Sequence, residues 1–254
     1  MQSNPLIFWE SWDGPPVADL AREELLLEAA GGGPHLFAYS WASPALVLGY
    51  GQDPERGVDL DACRRLGIPV LRRASGGTGV LHQADLSLSL ALPAAHPWAR
   101  GIGPLYDGFV ESLREAVATF GIHCERARPP APRPRARSPI CFEDQLTESL
   151  LLNGKKVLGC AQVRRASAAL VHGTLLLGLD AKLQAEVFGV PAERIAAAMA
   201  ALPPPPPSPR ALARSCALSL ARSLGTGPAE PQAPPGLPGP LAARSLGGRW
   251  LLQA

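Results

Sequence analysis

Gly76, Gly77 and Gly79 fall within four positions, directly after Arg72 and Arg73 and ahead of His82. Glycine serves where the chain takes a positive φ or where another group must come close to the backbone. Bare backbone beside fixed positive charge suits an anionic or strongly polar ligand. The same residues also fit an ordinary hairpin loop with two solvated arginines. No Gly-Lys-Ser/Thr follows, which excludes a P-loop. Residues 85–92 read as a strand and not a helix, which excludes the dinucleotide fingerprint. Further on, Cys141 stands between Ile140 and Phe142, a setting that taken alone means packing. Lys155 and Lys156 follow Asn153-Gly154. His82 and His172 each follow an apolar residue near a strand end, where a hydrogen-bonded structural histidine is the commoner case.

The order of these stretches adds a second line of reasoning. Arg72-Arg73-Ala74-Ser75-Gly76-Gly77 and Val80-Leu81-His82 come first. Gly154-Lys155-Lys156-Val157-Leu158-Gly159-Cys160-Ala161 and His172-Gly173-Thr174-Leu175-Leu176 come later. The pair resembles the biotin/lipoate protein ligase and octanoyltransferase family, from about residue 18 to 180. In that family the first motif runs Arg-Arg-x-Ser-Gly-Gly, then a hydrophobic pair and His. The second runs Gly-(Arg/Lys)-Lys-(Ile/Val)-x-Gly-Ser-Ala, then His-Gly-(Ser/Thr)-Leu-Leu.

The resemblance implies roles. In one octanoyltransferase branch the nucleophilic cysteine stands about a dozen residues before the Gly-x-Lys motif, in a Cys-Phe pair. Cys141 has that place and that neighbour. Lys156 stands where the family keeps a lysine beside the acyl carbonyl. A free thiol is only a few per cent thiolate at neutral pH; a neighbouring ammonium raises that fraction and can stabilise an oxyanion. Arg73, Ser75, Gly76, Gly77, Gly79, His82, Gly159, Ala161, His172 and Gly173 would line the substrate site. Residues 48–52 would lie near the acyl chain. The chain departs from the pattern with Gln83 where His-Asp is usual, Cys160 for Ser, Thr78-Gly79 after the first motif, and Asp144-Gln145-Leu146-Thr147 for Pro-Ser and an aromatic.

The activity so implied is acyl transfer in protein lipoylation. An octanoyl or lipoyl group would pass from an acyl carrier protein thioester, through Cys141, to a lysine of a lipoyl domain. The acceptor would be a 2-oxoacid dehydrogenase E2 subunit or the glycine-cleavage H protein. No cofactor would be needed. The first alternative is a lipoate-protein ligase using ATP and Mg, which in this family needs a further C-terminal domain; after Asp180 the sequence reads as two helices and Pro-rich linker. The second is a non-catalytic member that binds the lipoyl domain or acyl carrier.

Length and composition set bounds. The 254 residues suffice for one large domain or two small ones, and the net charge of +2 argues against a nucleic-acid partner. Five scattered cysteines without a Cys-x-x-Cys pair fit free thiols in a reducing compartment, so a cytoplasmic protein is expected. The first 14 residues lack a signal-peptide pattern, and no apolar run approaches the ~18 residues of a membrane span. No cluster has metal-ligand spacing.

The elements that would position the motifs follow from periodicity. Residues 19–30 read as a helix with Ala18, Ala21, Leu25 and Ala29 inward and Arg22, Glu23 and Glu28 outward. Residues 36–41 and 45–50 read as a hairpin around Ser43-Pro44. A short helix over 59–66 precedes strands at 70–73 and 80–82. Residues 85–92 alternate strictly, predicting a half-buried strand. A long helix carries Leu105 to Phe120. Residues 126–139, rich in proline and arginine, predict an extended surface loop. Strands at 148–152 and 156–162 meet at an Asn153-Gly154 turn, and 168–179 is a further strand. Helices follow over 191–202 and after Ser208-Pro209, separated by Pro203 to Pro207; residues 225–240 read as poorly ordered. The fold class is α+β: mixed or antiparallel sheets with helices on one side. Residues 1–190 would form the catalytic domain. Residues 191–254 would add helices and a Pro-rich tail, packed on it or appended to it.

Overall fold

The computed structural model describes residues 4–128, 138–227, 230–239 and 251–252. In chain order the elements are β1 (Ile7–Ser11), α1 (Pro16–Ala29), β2 (His35–Tyr39), β3 (Ala45–Leu48), α2 (Leu60–Leu66), β4 (Val70–Arg72), β5 (Val80–His82) and β6 (Asp85–Pro93). Then come α3 (Ile102–Ala118), β7 (Glu125–Arg126), β8 (Leu150–Leu152), β9 (Lys155–Arg164) and β10 (Ala168–Leu176). Last are α4 (Ala181–Phe188), α5 (Ala192–Ala198), α6 (Pro209–Leu224), β11 (Pro231–Gln232) and β12 (Leu251–Leu252). One mixed sheet runs β11-β1-β2-β6-β10-β9-β8-β7 and a second runs β12-β4-β3-β5. The fold is α+β.

The large sheet is built around β6 and β10, antiparallel from Ala168 opposite Pro93 to Leu176 opposite Asp85. Leu86, Leu88, Leu90 and Leu92 face one side, where they pack with Phe109 and Leu113 of α3 and with Leu212, Cys216 and Leu220 of α6. The other side of β6 does not face water. Ser87 and Ser89 are buried under α1, so the strand is covered on both faces and not on one. The hydroxyls survive burial because each has a partner: Ser89 donates to Glu23, and Ser87 lies within reach of Asp85 and Thr174.

That polar face also turns α1. Glu23 is buried, contrary to the outward position its spacing suggested, together with Asp19, Leu20, Leu26 and Leu27, whereas Ala29 is exposed. Below it the sheet presents a phenol, an indole N–H and serines. Tyr39 donates to Glu23 at 3.0 Å and Trp41 Nε1 to Asp19 at 3.1 Å. A helix over such a surface gains by pointing carboxylates inward.

Residues 36–50 do not form the expected hairpin. β2 joins the large sheet between β1 and β6, and β3 joins the small sheet between β4 and β5. Both strands are buried throughout, so each needs a neighbour on either side, and Ser43-Pro44 merely carries the chain from one sheet to the other. For the same reason β4 and β5 flank β3 and do not pair with each other. The glycine stretch between them therefore passes across the end of β3. A Cβ on Gly49 would stand 2.0 Å from the Gly77 carbonyl oxygen, so two backbones touch there.

Asn153 and Gly154 turn the β8–β9 hairpin at φ 50° and 76°, as the dipeptide predicts. Among the described residues three helices follow Asp180, not two. α4 was missed although its signals stand in the sequence: the Asp180 side chain accepts from Lys182 and Leu183 N–H, and Gly189 ends the helix in the left-handed region. α5 stops at Ala198, short of the predicted 202. Met199 leaves the helix to bridge Lys156, and Ala200 N–H donates to the Lys156 carbonyl at 3.0 Å. The strand β1 was also unanticipated. β11 docks beside β1 within the stretch expected to be poorly ordered. Most of the predicted Pro/Arg-rich loop, 129–137, lies outside the described residues, as do 228–229 and 240 of the tail. Among the described residues no helix is long and apolar enough to cross a membrane.

Two outcomes test this architecture. Gly49→Ala should force the β3 end and the glycine loop apart, costing about 2–3 kcal/mol and lowering Tm by roughly 5–10 °C in thermal denaturation. Asn153→Val/Gly154→Val should strain both positive-φ sites and cost a few kcal/mol in a denaturant titration; an unchanged midpoint would mean the turn is wrongly placed.

Candidate active site

Arg73 folds the glycine loop from within. It is only 4% exposed. Its Nε donates to Ser75 Oγ at 3.0 Å, Nη1 to the Val47 carbonyl at 3.1 Å, and Nη2 to the Gly76 and Thr78 carbonyls at 2.9 and 3.0 Å. Burial lowers its pKa from the ordinary guanidinium value. Arg72 Nη1 likewise reaches the carbonyls of Gly49, Tyr50 and Gln52, each at 2.8 Å. The picture of two solvated arginines on a hairpin is thereby corrected: both guanidiniums shape backbone.

The loop then grips the segment carrying Cys141. Gly79 N–H donates to the Pro139 carbonyl and Cys141 N–H to the Gly79 carbonyl, both at 2.9 Å. A Cβ on Gly79 would lie 3.1 Å from Phe188 and 3.2 Å from the Pro139 oxygen, so glycine allows this close pairing. Cys141 opens a 3-10 turn, Cys141–Glu143. Ile140 and Phe142 are 1% exposed, and Cys141 between them is partly open. Glu143 fixes the turn from outside through a two-pronged pair with Arg194 of α5, at 2.5 and 2.7 Å, and through Ser138.

Lys156 is buried, and its Nζ donates to the carbonyls of Cys141 and Asp144 at 2.8 and 2.7 Å, lying 5.5 Å over the Phe142 ring. It therefore anchors the cysteine turn. The place where a Gly159 Cβ would stand is 3.4 Å from Cys141 Sγ and 3.5 Å from Lys156 Nζ. The absent side chain of Gly159 leaves the space that thiol and ammonium share.

Two cavities meet at Cys141. A narrow inner slot of about 20 Å³ is lined by Leu20, Val47 and Val80, by Arg73, His82 and His172, and by Gly159, Cys160, Ala161 and Gly173. Gly173 keeps the floor thin: a Cβ there would lie 3.0 Å from Cys160 Sγ and from Phe109. An outer cavity of about 240 Å³ is lined by Gly76 and Gly77, Lys156 and Cys160, and Ile102, Tyr106 and Glu148. Arg73, Cys141, Cys160 and Ala161 border both cavities.

The two histidines have carboxylate partners that the motifs did not disclose. His82 Nδ1 lies 3.1 Å from Asp85, which also accepts from Gln83 N–H; the acid missing at position 83 arrives two residues later. His172 sits between Ser75 Oγ, 2.6 Å away, and Glu23, 3.1 Å away. Of the catalytic and substrate-site residues expected from sequence, Ser75 and Gly79 line neither cavity and instead hold the loop in place; residues 48–52, expected near the acyl chain, line neither cavity either. Glu23, Tyr39, Asp85 and Tyr106 were missed. Glu23 gave no local signal, since a lone glutamate in an amphipathic helix looks solvated.

A model of the lipoyl protein ligase A/B catalytic domain matches residues 15–203. Octanoyltransferase LipM of Geobacillus kaustophilus is 32% identical over 197 residues, covering 74% of this chain and 71% of that protein. LipM of Carboxydothermus hydrogenoformans is 36% identical over 166 residues, covering 64% and 61%. Among solved structures, lipoate-protein ligase A bound with ATP superposes with a TM-score of 0.74 at 20% identity, over 97% of this chain and 93% of that one. A structure of a bi-partite lipoate protein ligase and its E2 lipoyl domain from Thermoplasma acidophilum gives 0.72 at 21% identity, over 97% and 91%. These structures share the fold, and the match over most of the sequence, with Cys141, Lys156 and the glycine loop inside it, places the chain in the lipoyl protein ligase A/B catalytic domain family.

Proposed function

We propose that this protein is an acyltransferase of protein lipoylation that moves an octanoyl group through Cys141. The observation that carries this is the position of the Cys141 thiol, partly open and held between two buried anchors, where the inner slot meets the open cavity. The apolar side chains of the slot, Leu20, Val47, Val80 and Ala161, suit the start of an acyl tail. The open cavity suits the arm of an acyl carrier protein in the first step and the lysine of a lipoyl domain in the second. In step one the Cys141 thiolate attacks the donor thioester, a new C–S bond forms, and the carrier thiolate leaves and takes up a proton. In step two the neutral lysine amine attacks the acyl-enzyme carbonyl. A C–N bond forms, the bond to Cys141 breaks, and the amine proton passes to the departing thiolate. The first step exchanges thioester for thioester and the second runs downhill to an amide, so no ATP is required. Thiolate suits both steps as nucleophile and leaving group. The Lys156 ammonium, across the Gly159 gap, supports negative charge on sulfur or carbonyl oxygen.

In this reading residues 1–190 carry the catalysis and residues 191–254 add helices, of which α6 packs on α3. The acceptor is the lipoyl domain of a 2-oxoacid dehydrogenase E2 subunit or the glycine-cleavage H protein, in the cytoplasm. The ligase alternative would place an adenylate phosphate near Arg73 and Lys156. The hydrogen bonds of both cations run to protein oxygens, which favours the transferase.

Cys160 is the other partly open thiol and also borders both cavities, whereas Cys63, Cys124 and Cys216 are buried. Burial pushes Cys160 and Cys63 up, Cys124 up to about 11 and Cys216 up to about 12. Iodoacetamide at pH 8 should therefore modify Cys141 first, read by peptide mapping; faster labelling of any other cysteine would contradict the assignment. Mixed with octanoyl-acyl carrier protein and no ATP, the protein should gain one octanoyl group on Cys141 by intact mass. Cys141→Ala should remove the adduct, Cys160→Ala should keep it, and Lys156→Ala should slow its formation roughly a hundredfold. An unmodified Cys141 together with ATP-dependent transfer of free lipoate would establish the ligase instead.

A further inference from the structure

Beneath the glycine loop, three side chains from distant parts of the sequence form a continuous hydrogen-bonded line that the proposed chemistry leaves unused. Ser75 Oγ lies 2.6 Å from His172 Nε2, and His172 Nδ1 lies 3.1 Å from Glu23 Oε1. Glu23 also accepts from the Tyr39 and Ser89 hydroxyls. Burial acts to raise the Glu23 pKa, but the His172 charge and the hydrogen bonds from His172, Ser89 and Tyr39 outweigh it and hold the carboxyl below its usual value.

An ionised carboxylate only accepts hydrogen bonds. The nitrogen facing it, Nδ1 of His172, must carry hydrogen. In the neutral ring Nε2 is the acceptor and the Ser75 hydroxyl donates to it; in the protonated ring Nε2–H donates to Ser75 Oγ, and Nδ1–H faces Glu23 in both. Either way a lone pair of the Ser75 oxygen accepts the N–H of Arg73 Nε, 3.0 Å away. Arg73 in turn borders the inner slot together with Cys141. Cys141 heads the influences that oppose the burial of the Arg73 charge. The two outer links are fixed in direction, Nδ1–H toward Glu23 and Arg73 Nε–H toward Ser75, whichever way the Ser75–His172 hydrogen bond runs.

We propose that Glu23 is a positioning residue for Cys141: it holds the His172 ring with Nδ1–H inward, which holds the Ser75 hydroxyl, which seats the Arg73 guanidinium on the cavity wall it shares with the thiol. This rests on the reading of Cys141 as the nucleophile. It explains why a helix otherwise remote from the motifs buries a carboxylate, and why the serine of the glycine loop is placed behind the cavity and not in it.

The test is the rate of Cys141 alkylation by iodoacetamide at pH 7, located by peptide mapping, in the full-length protein and in Glu23→Gln, Ser75→Ala and the double variant. Each single substitution should slow alkylation roughly three- to tenfold. The double variant should be no slower than the slower single one, because both break the same line. Acylation by octanoyl-acyl carrier protein should fall in parallel. A merely structural role predicts the opposite sign, since loosened packing exposes the thiol and speeds alkylation. Faster or unchanged alkylation in the single variants, or effects that multiply in the double variant, would overturn the proposal. Ser75→Ala decides alone, by the same criterion, should Glu23→Gln fail to fold. Alkylation needs no acyl donor, so slowed alkylation alongside an absence of octanoyl adduct in the unaltered protein would keep the line and remove the octanoyl reading.

Discussion

A guanidinium buried without a carboxylate hydrogen-bonded to it is the constraint on which the site depends. Taking a full charge out of water costs several kcal/mol, and arginine does not escape by releasing its proton. The Arg73 hydrogen bonds all run to neutral oxygens, three carbonyls and one hydroxyl. Those oxygens belong to β3 and to the glycine loop. Satisfying the cation therefore dictates where the loop runs, and a loop so held offers its remaining edge, at Gly79, to the cysteine segment. Replacing the arginine by an apolar residue would leave the carbonyls turned inward without donors.

From that point the site assembles by backbone proximity. The loop passes over the end of β3 at Gly49, pairs with Pro139 and Cys141 through Gly79, and leaves the thiol facing the gap at Gly159. At Gly49 another backbone leaves no room for a Cβ, and at Gly79 and Gly159 a Cβ would crowd Phe188 and Pro139 or Lys156. Lys156 closes the arrangement by donating to two carbonyls of the cysteine turn. One ammonium thus holds the nucleophile's backbone and brings positive charge to the adjacent space. The β8–β9 hairpin sets its height, since Lys156 comes two residues after the turn.

The polar face of β6 shows the same economy on the opposite side. Ser87 and Ser89 look in sequence like the wet side of a half-buried strand. They are dry because α1 lies over them with its carboxylates inward. Periodicity reports side-chain polarity, and a hydroxyl is compatible with either water or a buried acceptor. Only the presence of Glu23 overhead decides between the two.

Several features were legible in the sequence because their cause is local. The Asn153-Gly154 turn follows from two residues that accept positive φ. The leucine face of β6 and the stripe of α6 follow from periodicity. The two motif stretches and the cysteine before the second disclosed the family and the residues that gather around the cavities. The cap residues of α4 were equally local, and that helix could have been read. What tertiary structure alone decided is pairing and burial. β2 and β3 part into different sheets, α5 yields its end to a bridge with Lys156, and Glu23, Asp85 and Tyr106 enter the site from elements the motifs do not include. The physical reason is that strand partners and the solvation of a polar side chain are set by neighbours far along the chain, whereas turns, caps and periodic faces are set by residues within a few positions of each other.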